Sequence, residues 1–335
     1  MKRGIRLALG AAWGVLALAS TWTVQAQTPT APAPAPPSTA GMKPFIVQEG
    51  ITRRISEHVW EIPDMSRPGT PNVAIVVGTR ATLILDTGMG PKGGTAVAHE
   101  AQKLSGNTKF YLATTDFRPE HISGEMALPP GTVWIVPTAQ KGDIATGTWK
   151  YINNFRARSP DLAYALADVT LREPDVTFDQ ESTVDLGGGV KVKLMSFGPA
   201  LFPGDLALYV EPDGVLQGGN FLASHSYPPI PDHNPELANY FDALDKMEAL
   251  HPKIVMPHHG DMRDGTLIAG ERLVLRDLEK RSLELKAEGK SAAEAGKILV
   301  AEFAAKYPDW GAGPDNIPPA VKSFYTETAS DAARR

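Results

Sequence analysis

The chain has 335 residues, 42% of them hydrophobic and 21% charged, with a formal net charge of −5. The acidic balance excludes a surface built to displace the counterions of nucleic acid, while the apolar fraction is enough for a sizeable core. With no cysteine in the sequence, disulfides, thiolate metal ligands and a cysteine nucleophile are excluded as well.

Residues 1–26 read as an export signal. Lys2, Arg3 and Arg6 give a positive start, residues 7–20 are almost wholly apolar, and Val24, Gln25 and Ala26 supply a cleavage point. The apolar run is shorter than the ~20 residues of a spanning helix, and no later stretch is both long and uncharged enough to cross a bilayer. The expectation is a periplasmic or secreted protein without a membrane span. Residues 27–41, QTPTAPAPAPPSTAG, should form an extended Pro/Ala-rich tether. One folded domain is expected over 42–335, ending in helices.

That domain opens with strand-like runs rich in Val and Ile at 58–62, 72–77 and 81–85. An amphipathic helix is predicted over 95–104, then strands at 110–113 and 133–136, and a helical insert over 139–166. Strands follow at 182–186, 190–197, 206–210 and 214–217, with Gly187, Gly188 and Gly189 as a hairpin turn. The pattern turns helical over 235–250, returns to a strand at 254–256, and ends with helices at 270–288 and 292–307. Strands interleaved with helices in both halves indicate sheets covered by helices on their outer faces.

Five loops follow or flank apolar strands, where α/β proteins place chemistry. They read Asp86-Thr87-Gly88, residues 115–124 (TDFRPEHISG), residues 198–205 (GPALFPGD), Gly218-Gly219-Asn220 and Pro257-His258-His259-Gly260. In order and spacing these resemble the loops of the metallo-β-lactamase superfamily, which read Asp-Thr-Gly, His-x-His-x-Asp-His, Gly-His-Thr-x-Gly, Gly-Asp and Gly-His-Gly. The resemblance covers residues 72–260 and implies an αβ/βα sandwich of the metallo-β-lactamase type with its site at one edge.

It also shows where this chain departs. The family's first two histidines are replaced by Asp116 and Arg118, its Asp-His pair by Glu120-His121, its third-loop histidine by Leu201 and its bridging Asp by Asn220, while its last histidine matches His259. Leu201 cannot ligate, and a guanidinium ~4 Å from a divalent cation costs roughly 8 kcal/mol at an effective dielectric near 20. The first family metal site should therefore be empty, with Arg118 standing in for it, paired to Asp116. The second leaves Glu120, His121 and His259, with Asn220 as a weak oxygen donor, as ligands for one divalent metal, zinc by donor type. Asp116 or Glu120 would serve as general base.

Asp86 matches the carboxylate that organises the loops beneath the family's site. His258, in place of a family glycine, is a possible extra ligand, with a position at the surface or behind the ligands favoured. With His225, in the Pro-rich loop at 225–231, it is a candidate contact for substrate. The resemblance implies hydrolysis of a small ester, lactone or amide. The alternative is an inactive binding protein in which His121 and His259 are scaffold residues and Glu120 pairs with Arg118.

Overall fold

Strict alternation of apolar side chains builds two sheets. In the computed structural model, which describes residues 45–326 apart from 66, 68, 199–200, 225, 228–229, 231–236 and 312–313, the first sheet contains β1 (Arg53–Arg54), β2 (Val59–Ile62), β3 (Val73–Val77), β4 (Thr82–Leu85), β5 (Phe110–Ala113), β6 (Val133–Pro137) and β7 (Val176–Phe178), side by side in chain order. Pairing is antiparallel from β1 to β4 and parallel from β4 to β7. The second sheet has the order β12-β11-β10-β9-β8, from β8 (Glu181–Gly187), β9 (Val190–Ser196), β10 (Leu206–Val210), β11 (Val215–Gln217) and β12 (Ile254–Met256). Only β11 and β12 pair in parallel there. The expected signal and tether, and His225, lie outside the described residues.

The two-residue period decides which core each side chain joins. Ala74, Val76, Leu83 and Leu85 meet Val192, Leu194 and Leu208 in the layer between the sheets. Val73, Ile75 and Ile84 point the other way, onto Val97 and Ala101 of α1 (Gly90–Leu104) and Ile144 of α3 (Thr138–Arg158). On the outer face of the second sheet, Ala207, Leu216 and Val255 pack under Leu244, Leu275, Leu299 and Phe324. These come from α5 (Leu237–Ala249), α6 (Thr266–Ala287), α7 (Ala292–Lys306) and α8 (Ile317–Thr326). Helix, sheet, sheet, helix is the layering expected of the αβ/βα sandwich.

Local chemistry explains the differences from the predicted elements. The insert expected as one helix over 139–166 is two, α3 and α4 (Pro160–Ala165), because Ser159 caps the second by accepting the Leu162 N–H at 3.2 Å and Pro160 opens it. The four-residue α2 (Pro119–Ile122) is too short to show a helical period. The edge strand β7, Val176-Thr177-Phe178, is too short to show a period and is largely exposed.

The loops after β4, β5, β11 and β12 gather at one edge of the sandwich. Close approach of backbone fixes α1 against the segment after α2: a Cβ on Gly94 would lie 1.9 Å from the Gly124 carbonyl oxygen, so only glycine fits.

Candidate active site

Asp86 ends β4 in the left-handed region (φ 66°), which aspartate tolerates better than most residues. Its buried carboxylate accepts the Thr115 N–H at 2.7 Å and the Thr115 hydroxyl at 2.9 Å, and it lies 3.0 Å from His121 Nδ1. The ends of β4 and β5 are thereby tied to one imidazole. The Thr87 N–H and hydroxyl, both 2.9 Å from the His121 carbonyl oxygen, hold that residue's backbone.

The His121 ring is fully buried and two-sided. Nδ1 faces Asp86 and, at 3.2 Å, Nε2 of His258. Nε2 has no hydrogen-bond partner among the described residues and faces Asp116 Oδ2 at 3.8 Å and Glu120 Oε1 at 3.7 Å. Burial favours the neutral ring, but the Asp116 and Asp86 carboxylates outweigh it and raise the imidazole to about 9. His258 goes the other way. Burial, then the charges of His121, His259 and Arg118, push it well below the usual imidazole range.

Arg118 precedes α2 and turns its guanidinium back into the loop. Its N–H donates to Asp116 Oδ1 at 2.6 Å, Nε donates to Asp116 Oδ2 at 2.8 Å, and Nη2 is shared between Asp116 Oδ2 and the Asn220 oxygen. The Asn220 amide donates in turn to Asp116. Nη1 lies 3.6 Å from Glu120 Oε1. Burial acts to raise the Asp116 carboxyl, and Arg118 and His121 overcome it, holding the carboxyl below its ordinary value. The pairing of Arg118 with Asp116 is the one expected from sequence. Leu201 is buried and contributes only its backbone N–H, to Asp205.

A different set of metal donors comes together from the one expected. Asp86, His121 and His258 offer ligand atoms all within 4.8 Å of one another, whereas Glu120 and Asn220 are turned to Arg118, and His259 is half-exposed with Nδ1 3.5 Å from Asp64. His258 is 2% exposed, so of the positions expected for it the one at the surface is excluded. The loop path explains the exchange. Its backbone is clamped by Asn72 on one side, through the carbonyls of Pro257, His258 and Gly260, and by Leu222 and Ser224 on the other. Successive side chains of such an extended segment point to opposite sides, so His258 goes in and His259 out.

One carboxylate oxygen and two imidazole nitrogens suit a divalent ion of the zinc type. Ligand bonds of about 2.0–2.1 Å set tetrahedral donors ~3.3 Å apart. The separations of 3.0 Å and 3.2 Å need to open by only a few tenths of an ångström, so the three residues fit such an ion.

A cavity of about 210 Å³ opens over this cluster, lined in part by Arg118, Asn220, His258 and His259. Tyr227 and Asn316 line it too; neither was named as a site residue from sequence, though Tyr227 lies in the Pro-rich loop at 225–231 expected to border the pocket. Neither sits in a motif: Asn316 arrives from just before α8, where its amide donates to the Tyr227 carbonyl at 2.7 Å. Asp205 was also missed as a site residue. Its carboxylate accepts the N–H groups of Leu201 and Phe202, and burial, then repulsion from Asp116, raises it to about 7. A lone Asp closing a Pro/Gly loop carried the only signal.

No family model and no curated protein sequence matches the chain. Solved structures do. A metallo-beta-lactamase from Pontibacter korlensis is 18% identical and superposes with a TM-score of 0.53 over 66% of this chain and 97% of that one. An archaeal metallo-beta-lactamase superfamily protein from Sulfolobus tokodaii is 17% identical, with a TM-score of 0.50 over 65% of this chain and 86% of the other. A stereoselective inverting sec-alkylsulfatase from Pseudomonas sp. is 12% identical, with a TM-score of 0.62 over 82% of this chain, which spans 50% of the length of that protein. With its two mixed sheets, outer helices and loops gathered at one edge, the chain has the metallo-β-lactamase fold.

Proposed function

We propose that the chain is a hydrolase of a small ester, lactone or amide, exported to the periplasm or secreted, that holds a single divalent metal, zinc, on Asp86, His121 and His258. The observation that carries this reading is the convergence of those three donors beside a cavity that also presents Arg118. Charge supports it. Asp86, Asp116 and Glu120 face one guanidinium and one imidazolium, and a divalent ion in place of the His121 proton would cancel the remaining negative charge.

A bound zinc ion supplies a coordinated water of lowered pKa and a Lewis acid for a carbonyl. The chain's own groups do the rest. Asp116 and Glu120 face the other nitrogen of the His121 ring, Nε2, on the side where the outer partners of a ligand sit. Arg118, locked on Asp116, presents a fixed charge to an oxyanion developing in the cavity. Glu120 keeps one buried oxygen without a partner and is the group placed to accept a proton.

A screen of esters, lactones and β-lactams on zinc-loaded protein tests the proposal. Turnover should appear, and Arg118→Lys, which keeps the charge but loses the planar fork, should lower kcat/KM about tenfold or more, ~1.4 kcal/mol of transition-state stabilisation. The second reading is a binding protein without turnover, favoured by the guanidinium lying among Asp116, Glu120 and Asn220. Zinc-loaded, folded protein inactive on every substrate class would select it.

A further inference from the structure

The cavity above Arg118 has a lining of one chemical character. Besides Arg118 it is lined by Asn220, Ser226, Tyr227, Asn316 and both His258 and His259, and no carboxylate lines it among the described residues. Asp116 and Asn220 engage the Nε and Nη2 edge of Arg118. Nη1 makes no hydrogen bond among the described residues, its nearest carboxylate oxygen being 3.6 Å away. One guanidinium nitrogen is thus left with its N–H groups to spend, on a head whose orientation is already fixed by the opposite edge. Arg118 also stacks over Phe202, with 5.6 Å from its central carbon to the ring centroid.

Tyr227 supplies an independent observation. The residue is 3% exposed, and its hydroxyl has no hydrogen-bond partner among the described residues. A buried phenol left unpaired costs free energy unless something brought to the site satisfies it. It lines the same cavity as Arg118, packed on Phe303 and Trp310 and tethered through its carbonyl to Asn316.

We infer that this cavity binds the oxyanion group of a small substrate, a carboxylate, sulfate or phosphate, between Arg118 Nη1 and the Tyr227–Asn316 wall. A volume of about 210 Å³ is below the ~300–1,000 Å³ of sites for drug-sized ligands, so the anionic end and a short chain fill it. The inference deepens the hydrolase reading by naming its substrate class, an ester, lactone or amide that carries a negative charge near the scissile bond. Binding is measured without turnover, so the two can fail separately.

Isothermal titration of the full chain with acetate, sulfate, inorganic phosphate and neutral acetamide, at constant ionic strength, tests it. At least one oxyanion should saturate one site per chain at least tenfold more tightly than acetamide, and the tightest identifies the group. Tyr227→Phe and Asn316→Leu should each weaken that anion severalfold with melting temperatures near wild type, and Arg118→Gln, where it folds, should abolish binding. Acetamide binding as tightly as every oxyanion, or an anion affinity unchanged in both Tyr227→Phe and Asn316→Leu, overturns the inference. Should Arg118→Gln fail to fold, the two wall variants decide alone.

Discussion

Replacing Arg118 by Leu removes the guanidinium and leaves the Asp116 carboxylate, fully buried and held in its ionised form by that charge, with only neutral donors and a neighbouring imidazole. Breaking one side of a buried pair costs about 3–5 kcal/mol, because the surviving charge stays desolvated. For a domain of this size each kcal/mol shifts Tm by roughly 2–4 °C, so a loss on the order of 10 °C is expected at pH 7. Adding Asp116→Asn removes the stranded charge; its amide oxygen still accepts the residue 118 N–H, and its amide nitrogen faces Asn220, whose own oxygen is freed by the loss of Arg118 and can accept from it. The double variant should recover at least ~2 kcal/mol, a coupling far above that of independent sites. Acidification should narrow the gap between Arg118→Leu and wild type, since the unpaired Asp116 can then be protonated in the folded state. Urea unfolding of the four members of this cycle, at pH 7 and pH 5, gives every quantity. A single-variant cost under 1 kcal/mol, or no rescue by Asp116→Asn, would refute the claim that Arg118 replaces a metal as the counter-charge of this loop.

Asp205, raised by burial from the ordinary aspartate value of 3.8 to about 7, holds a proton in the folded state that the unfolded chain releases between these values. Wild-type stability should therefore fall as pH rises from about 4 to 7. Asp205→Asn, which keeps an oxygen for the Leu201 and Phe202 N–H groups, should be the more stable protein at pH 8, by on the order of a few kcal/mol. The difference should vanish near pH 4 in thermal melts; a pH-independent difference contradicts the assignment. Gly94→Ala should destabilise strongly, because its Cβ meets the Gly124 carbonyl at 1.9 Å. Loss of native near-UV circular dichroism, or a melting temperature lowered by at least several degrees, is the expected reading. Mass spectrometry of the protein recovered from the native host should find a mature N-terminus near Gln27 in an extracytoplasmic fraction, and an intact Met1 in the cytoplasm would contradict export.

Architecture was legible because the signal for it is periodic. Ala74 against Ile75, and Leu83 against Ile84, already divide between two cores in the alternation of β3 and β4. The loop motifs located the site, and the replacement of ligands at Asp116, Arg118 and Leu201 announced its altered chemistry. Which of two adjacent histidines turns inward was not legible, because that depends on how Asn72, Leu222 and Ser224 clamp the 257–260 backbone from both sides. Tyr227 and Asn316 were not singled out for a related reason. They reach the cavity through tertiary packing with the terminal helices, and no local pattern encodes a wall assembled from residues 89 positions apart. Asp86 was legible in place but not in role, since only the fold brings its carboxylate to His121 rather than merely beneath the loops.

The exchange of His259 for His258 makes the central claim measurable. Elemental analysis after zinc loading and exhaustive dialysis, on wild type, His258→Ala and His259→Ala, tests it most directly. The account predicts one equivalent of zinc in wild type, retention in His259→Ala, and loss in His258→Ala with the fold intact by circular dichroism. Two equivalents in wild type, or zinc that survives His258→Ala and is lost in His259→Ala, would contradict it.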